Sequence, residues 1–435
     1  MPLRTKIFMK VLLLAICFCL RPGEVFCEEP TRQELRKEMQ ALKERIRLLE
    51  KRLEDLTRAP EQAPEGVTPE KVHGHGAGGV KGLADRVRTL EEHMKNMKKR
   101  GVGKWADRIS LSGLVEVAAD YQDQDHHDRG VKDTSSSDIT LATVELGVDA
   151  EASKHLGAHV LFLWEEDDTE PVDLDEGYII LDGKDVLPLY LNAGKMYVPF
   201  GRFESHFISD PLTLQLGETR ETAVKAGYTD DLLDFSVSVF NGDVEETGRD
   251  DHVRSYVLSG RISRQFDTPW SVGLEAGGAY ISSVADTNNL GDNQVASDYD
   301  GDGQKDIRDD VGGISLFLSL SFDKRIFLEA EYVGALERFE PGELAYDGGR
   351  GRKPRAWNLE LAYAFKWNFE VGLKAEGSRD CGRSLADDFL PERQYGVVLN
   401  YEFFENAVFS VEYLRGIYDN DDTRDLWTTQ VSLEF

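Results

Sequence analysis

The chain is 435 residues long, 40% hydrophobic and 30% charged, with 51 Lys+Arg against 80 Asp+Glu and a formal net charge of −29. Residues 1–104 carry 22 basic and 15 acidic side chains, while the remainder carries 29 and 65. That acidic balance excludes a basic nucleic-acid surface on the main domain. No stretch past residue 20 approaches the roughly 20 apolar residues of a spanning helix, which excludes a helical membrane protein but not a membrane barrel.

Residues 1–27 read as a secretory signal. Arg4, Lys6 and Lys10 form a basic start, Val11–Leu20 is an apolar run too short to span, and Val25-Phe26-Cys27 precedes a cleavage before Glu28. Phe26 is too bulky for lipoprotein processing at Cys27. Cys17, Cys19 and Cys27 leave with the signal, so the mature chain keeps only Cys381 and no internal disulfide.

A coiled coil is expected over residues 28–58. Leu35, Met39, Leu42, Ile46, Leu49, Leu53 and Leu56 alternate gaps of four and three, a heptad seam. Residues 59–82 are rich in Pro and Gly and should form a flexible linker. A second short seam, Leu83, Val87, Leu90, Met94 and Met97, occupies residues 83–104. Arg45–Glu50 and Arg86–Glu91 both set Arg and Glu around apolar seam positions, which resembles the trimerisation pattern of short parallel coiled coils. A homotrimer is the assembly this implies.

Past Trp105 the apolar period falls from 3.5 to 2. Ile109, Leu111, Val115, Val117 and Tyr121 alternate with Ser110, Ser112, Glu116 and Asp120, as a strand between lipid and water requires. Sixteen such segments begin near residues 109, 139, 157, 174, 188, 221, 232, 255, 270, 313, 325, 356, 367, 394, 406 and 425. Connections after even-numbered segments are tight, and most after odd-numbered ones are long and polar. The fold class is therefore all-β, a 16-stranded antiparallel transmembrane β-barrel over residues 105–435 behind the α-helical coiled coil. The last segment ends in Phe435, similar to the signal read by bacterial barrel-assembly machinery, which sets the barrel in the outer membrane and the N-terminal arm in the periplasm.

The stretch after the fifth segment is the most specific. Gly194-Lys195-Met196-Tyr197-Val198-Pro199-Phe200-Gly201 runs into residues 202–220, RFESHFISDPLTLQLGETR. Its GK-Y-PFG strand end, SDP element and G-E-T-R turn resemble a signature of the LbtU-type siderophore porins, and the looser GK-x-x-x-PFG part is shared with phosphate-selective and other porin-like channels. The resemblance implies solute uptake across the outer membrane, with ferric siderophores as cargo. Residues 28–104 contain no globular plug of the kind that precedes the barrels of about 22 strands in energised iron receptors.

A third external loop of this length could fold inward, placing Arg202, Glu204, His206, Asp210, Glu218 and Arg220 at a pore constriction. Inward-facing Glu116, Glu145, Asp149, Glu329, Glu331, Glu370 and Glu376 suggest cation preference. The alternatives are a general cation-preferring diffusion porin and a structural barrel tethering the envelope.

Asp298, Asp300, Asp302, Gln304, Asp306 and Asp309 follow the spacing of a calcium loop, with Gly303 at the sharp turn and the Gln304 carbonyl as a ligand. Asp309 replaces the usual bidentate Glu, Lys305 stands where an apolar anchor is common, and no helices flank the motif. Hard carboxylate oxygens at this density favour Ca²⁺ in the fifth external loop. No G-x-S-x-G, H-E-x-x-H or P-loop motif is present, so an enzyme is not expected. The expected partners are outer-membrane lipid and a small solute or ferric siderophore.

Overall fold

Period-2 alternation selects strands because successive side chains leave a pleated backbone on opposite faces. A computed structural model describes residues 108–435, apart from residues 128–129, 167–168, 170–171, 184–185, 250–251, 267–269, 300, 302 and 383–388. The expected signal, both coiled-coil segments and the linker lie outside the described residues.

The first half of the barrel comprises β1 (Ile109–Asp125), β2 (Thr134–Ser153), β3 (Leu156–Trp164), β4 (Asp173–Asp182), β5 (Leu189–Tyr197), β6 (Arg220–Thr229), β7 (Leu233–Phe240) and β8 (Ser255–Phe266). The second comprises β9 (Val272–Ile281), β10 (Gly313–Phe322), β11 (Ile326–Ala335), β12 (Arg355–Ala364), β13 (Phe369–Arg379), β14 (Arg393–Phe404), β15 (Ala407–Ile417) and β16 (Thr423–Glu434). Each strand pairs antiparallel with its neighbours, and β16 returns to β1 from Leu114↔Glu434 to Asp125↔Thr423. The barrel is closed, so it presents no open edge. Gly113 and Phe435 complete the seam by exchanging backbone hydrogen bonds of 2.8 and 3.0 Å.

Observed strand starts fall close to those expected from alternation. The largest departure is the first hairpin, where β1 runs to Asp125 and β2 starts at Thr134. Gln122–Gln124 pair with both β2 and β16, and Asp125 with β16, so the ladder continues into a polar stretch that alternation alone does not mark as strand.

The eight connections at one end, here called L1 to L8, span residues 126–133, 165–172, 198–219, 241–254, 282–312, 336–354, 380–392 and 418–422. The opposite end has short turns such as residues 154–155, 323–325 and 405–406. Outward-facing Leu111, Leu316 and Leu373 are 67%, 56% and 55% exposed. Each such side chain left in water forgoes about 1.5–3 kcal/mol, so this belt fits a hydrocarbon surround. Trp270 and Trp367 stand open beside short turns, as an interfacial girdle requires.

The largest apolar core lies among the long loops rather than within the wall. Phe200, Leu212 and Leu216 of L3, Val244 of L4, Leu290 and Ile307 of L5, Phe339 and Leu344 of L6, and Leu390 of L7 form one buried cluster. A two-residue parallel pairing of Glu245–Glu246 with Asp306–Ile307 ties L4 to L5, and a Val295↔Leu344 bridge ties L5 to L6. Cys381, buried in L7, belongs to the same cluster.

Candidate functional site: the third loop across the lumen

L3 leaves β5, crosses the interior and returns to β6 through a one-turn-and-a-half helix, α1 (Leu212–Gly217), which packs against β11, β12 and β13. Four inward carboxylates on different strands receive it. Glu331 on β11 accepts the Arg202 N–H at 2.7 Å and the Thr213 hydroxyl at 2.9 Å. Glu360 on β12 accepts the Ser205 hydroxyl at 2.8 Å and the His206 N–H at 2.9 Å. Glu412 on β15 accepts the Ile208 N–H at 2.7 Å and the Ser209 hydroxyl at 2.5 Å. Glu376 on β13 accepts the Leu212 N–H at 2.8 Å. All four are buried, and hydrogen bonds to charged groups contribute about 1.5–3 kcal/mol each, so the loop is held along most of its length. Phe203 takes a left-handed φ of 56°, a conformation costing about 1–3 kcal/mol, where its own N–H also meets Glu331.

The wall supplies a cation as well. Lys374 on β13 has a fully buried side chain, 3.4 Å from Glu360 and 4.0 Å from Glu376, and donates to the Ser209 carbonyl at 3.1 Å. Its Nζ lies 4.6 Å from the Phe207 ring centroid. Phe207 enters a notch that requires Gly396, since a Cβ there would sit 2.8 Å from Phe207 Cε1.

Five of the six expected constriction residues sit in L3, and the sixth, Arg220, opens β6. Arg202 points to the short-turn side, bonded to Glu329 and Glu204 at 2.6 Å and 3.3 Å from Glu275. His206 Nδ1 is 2.9 Å from Glu370. Burial alone depresses the imidazole, but the bonded Glu370, with Glu360 and Glu329 nearby, takes it above its ordinary value. Asp210 is exposed on L3, yet the protein around it raises its carboxyl by desolvation, against the pull of Lys374. Glu218, which accepts the Asn288 amide at 3.2 Å, is pushed up to about 7 by burial and by Asp210 and Asp175. Arg220 bonds Asp175, which also accepts the Tyr197 hydroxyl at 3.2 Å.

The inward acids therefore divide into two groups. Glu329, Glu331, Glu370 and Glu376 are occupied in holding L3, whereas Glu116, Glu145 and Asp149 remain on the open side. Glu360, Glu412, Lys374 and Asp175 were not singled out by sequence. Register offered a signal for one pair, because Glu360 and Lys374 stand directly opposite on β12 and β13.

Below L3, toward the short turns, lie cavities of about 420 and 570 Å³ that share Ser205 and His206 as a partition. The first is lined by Arg202, Glu275 and Glu329, the second by Glu116, Glu370 and Gln430. A barrel of sixteen strands is wide enough to leave such aqueous space.

In L5, Asp298 accepts the Gly301 and Gly303 N–H groups at 2.7 and 3.2 Å. Asp306 accepts the Tyr299 N–H at 2.7 Å and is buried, while Gln304 and Asp309 are exposed. Asp300 and Asp302 lie outside the described residues. Among the described residues, no three His, Cys, Asp or Glu side chains converge in metal-ligating geometry.

Residues 114–304 match the family described as phosphate-selective porin O and P. Over that stretch the barrel is similar to those porins. The UPF0422 protein of Legionella pneumophila strain Lens is 29% identical over 339 residues, covering 71% of this chain and 59% of that protein. The UPF0422 protein of Coxiella burnetii is 24% identical over 312 residues, covering 70% and 63%. The porin-like chain thus spans less than two thirds of the length of these curated relatives. Among solved structures, Pseudomonas putida OprB superposes with a TM-score of 0.50 at 12% identity, covering 79% of this chain and 97% of OprB. The outer membrane channel DcaP of Acinetobacter baumannii gives 0.47 at 14%, covering 75% and 97%. At such identities the OprB likeness is one of fold alone, a closed antiparallel β-barrel.

Proposed function

We propose that the chain is an outer-membrane channel for solute uptake and that ferric siderophores are its cargo. The observation that carries the channel reading is L3, held across a wide lumen by four wall carboxylates with polar cavities beneath it. The siderophore reading rests on the L3 signature from Gly194 to Arg220 and on a segment before the barrel that has no plug-like sequence. On this reading the long loops face the outside and the short turns the periplasm. Planar-bilayer recording of the full chain tests the channel, since an anchoring barrel with a filled lumen would be silent. Labelled ferric-siderophore uptake by an iron-limited deletion strain tests the cargo; unchanged uptake would return the reading to a general cation-preferring diffusion porin.

Two further parts belong to the proposal. The heptad seams of residues 28–58 and 83–104 would hold three barrels together, which mass measurement of the detergent-solubilised assembly checks. L5 would take Ca²⁺ through the Asp298–Asp309 motif. Supporting this, Asp306 is 3% exposed, and its Oδ2 has no hydrogen-bond partner beneath the turn that Asp298 organises.

A further inference from the structure

The inward-facing side chains of the barrel are not equally open. On β11 to β15, Glu331, Glu360, Lys374, Glu376 and Glu412 are 9%, 1%, 4%, 0% and 0% exposed, because L3 and α1 lie over them. On β1 to β4 the corresponding positions, Glu116, Glu145, Asp149 and Glu176, remain half-buried or exposed. The upper inward side chains of β6 to β10, among them Ala223, Ser238, Val257 and Ser315, are buried as well, so water passing the level of L3 runs between the β1–β4 arc and the loop, off the barrel axis.

The charge around that opening is one-sided. The charged neighbours of Glu145 are Asp175, Glu116, Glu165 and Glu176, and those of Glu218 on the loop edge are Asp210, Asp175 and Arg220. Asp175, buried at 2% exposure and bonded to Arg220, lies between the carboxylates of the wall and those of L3. The cations facing the opening are paired with acids, Arg220 with Asp175 and Asp173 and Lys195 with Asp173. What remains uncompensated is negative. Rows of carboxylates select cations, and rows of Arg or Lys select anions and phosphate.

We infer that permeation runs through this off-axis opening between β1–β4 and L3, and that the opening admits cations and cationic or neutral chelates while rejecting phosphate and other anions. The inference rests on the channel reading and goes beyond it, since the matched family is named for the opposite selectivity. It also narrows the iron cargo by charge: neutral or positively charged ferric hydroxamates fit, and the highly anionic ferric catecholates do not.

The test is reversal-potential recording of the full chain across a tenfold KCl gradient, with Glu145→Gln and Asp210→Asn separately and together. Wild type is expected to prefer K⁺ over Cl⁻ several-fold, and the double variant to move at least halfway to equal permeability. Anion preference in the wild type would overturn the inference, and absence of any conductance would overturn the channel reading instead. Cation preference left unmoved by the double variant would overturn the assigned path. To keep the result independent of misfolding, Glu145→Cys and Asp210→Cys are probed with charged thiol reagents, Cys381 being buried at 1% exposure. A cationic reagent should modify both sites and reduce current, and it should react at least tenfold faster than an anionic one. Equal rates, or modification without effect on current, would count against the path.

Discussion

Lys374 Nζ lies 3.1 Å from the Ser209 carbonyl oxygen, joining β13 to L3 across 165 residues of chain. The same ammonium is shared between Glu360 and Glu376, which hold two backbone N–H groups of the loop. Removing it leaves two buried carboxylates without their shared cation, a change that typically costs about 3–5 kcal/mol. Lys374→Met is therefore expected to lower the denaturant midpoint of the detergent-solubilised barrel and to loosen L3. Single-channel records should show larger, noisier openings; a variant with wild-type midpoint and quiet current would refute the lock.

Glu218 carries the pH dependence. Raised to about 7 by burial, Asp210 and Asp175, against Arg220 and the Asn288 amide, it is neutral below that pH and charged above it. The K⁺/Cl⁻ permeability ratio should rise between pH 6 and pH 8, and Glu218→Gln should flatten the rise. The folded-state value lies above the ordinary 4.5, so the group's contribution to stability is complete below 4.5 and declines as pH rises through 7.

The loop core can be tested away from the lumen wall. Phe200 is fully buried among residues of L3 to L7, and a buried Phe→Ala change costs about 3–5 kcal/mol. Phe200→Ala should expose L5 and L6 to added protease while the strands stay resistant. Unaltered cleavage would mean that the loops do not depend on one another.

Calcium binding has a direct readout. Titration calorimetry of the intact chain should give a saturable heat that Asp298→Asn reduces, with protection of L5 from proteolysis. No heat in wild type would remove Ca²⁺ from the account.

Alternation placed the sixteen strands close to where they lie, because lipid outside and water inside impose period 2 on every spanning segment. It also sorted Glu329, Glu331, Glu370 and Glu376 to the inner face. What it could not tell is which inward residues remain wet, since that depends on where L3 comes to rest, a contact between segments more than 100 residues apart. The apolar residues of L4 to L7 were unreadable for a similar reason. Val244, Leu290, Phe339 and Leu390 each look like isolated hydrophobes in polar loops and become a core only when five loops meet.

That meeting has a consequence for how the long-loop rim can change over time. Loops on a barrel rim ordinarily drift separately, each free to vary under pressure from antibodies or phage. Here a mutation beneath one loop disturbs four others, so variation should concentrate in L1, L2 and L8, with the rest of the rim drifting only in concert.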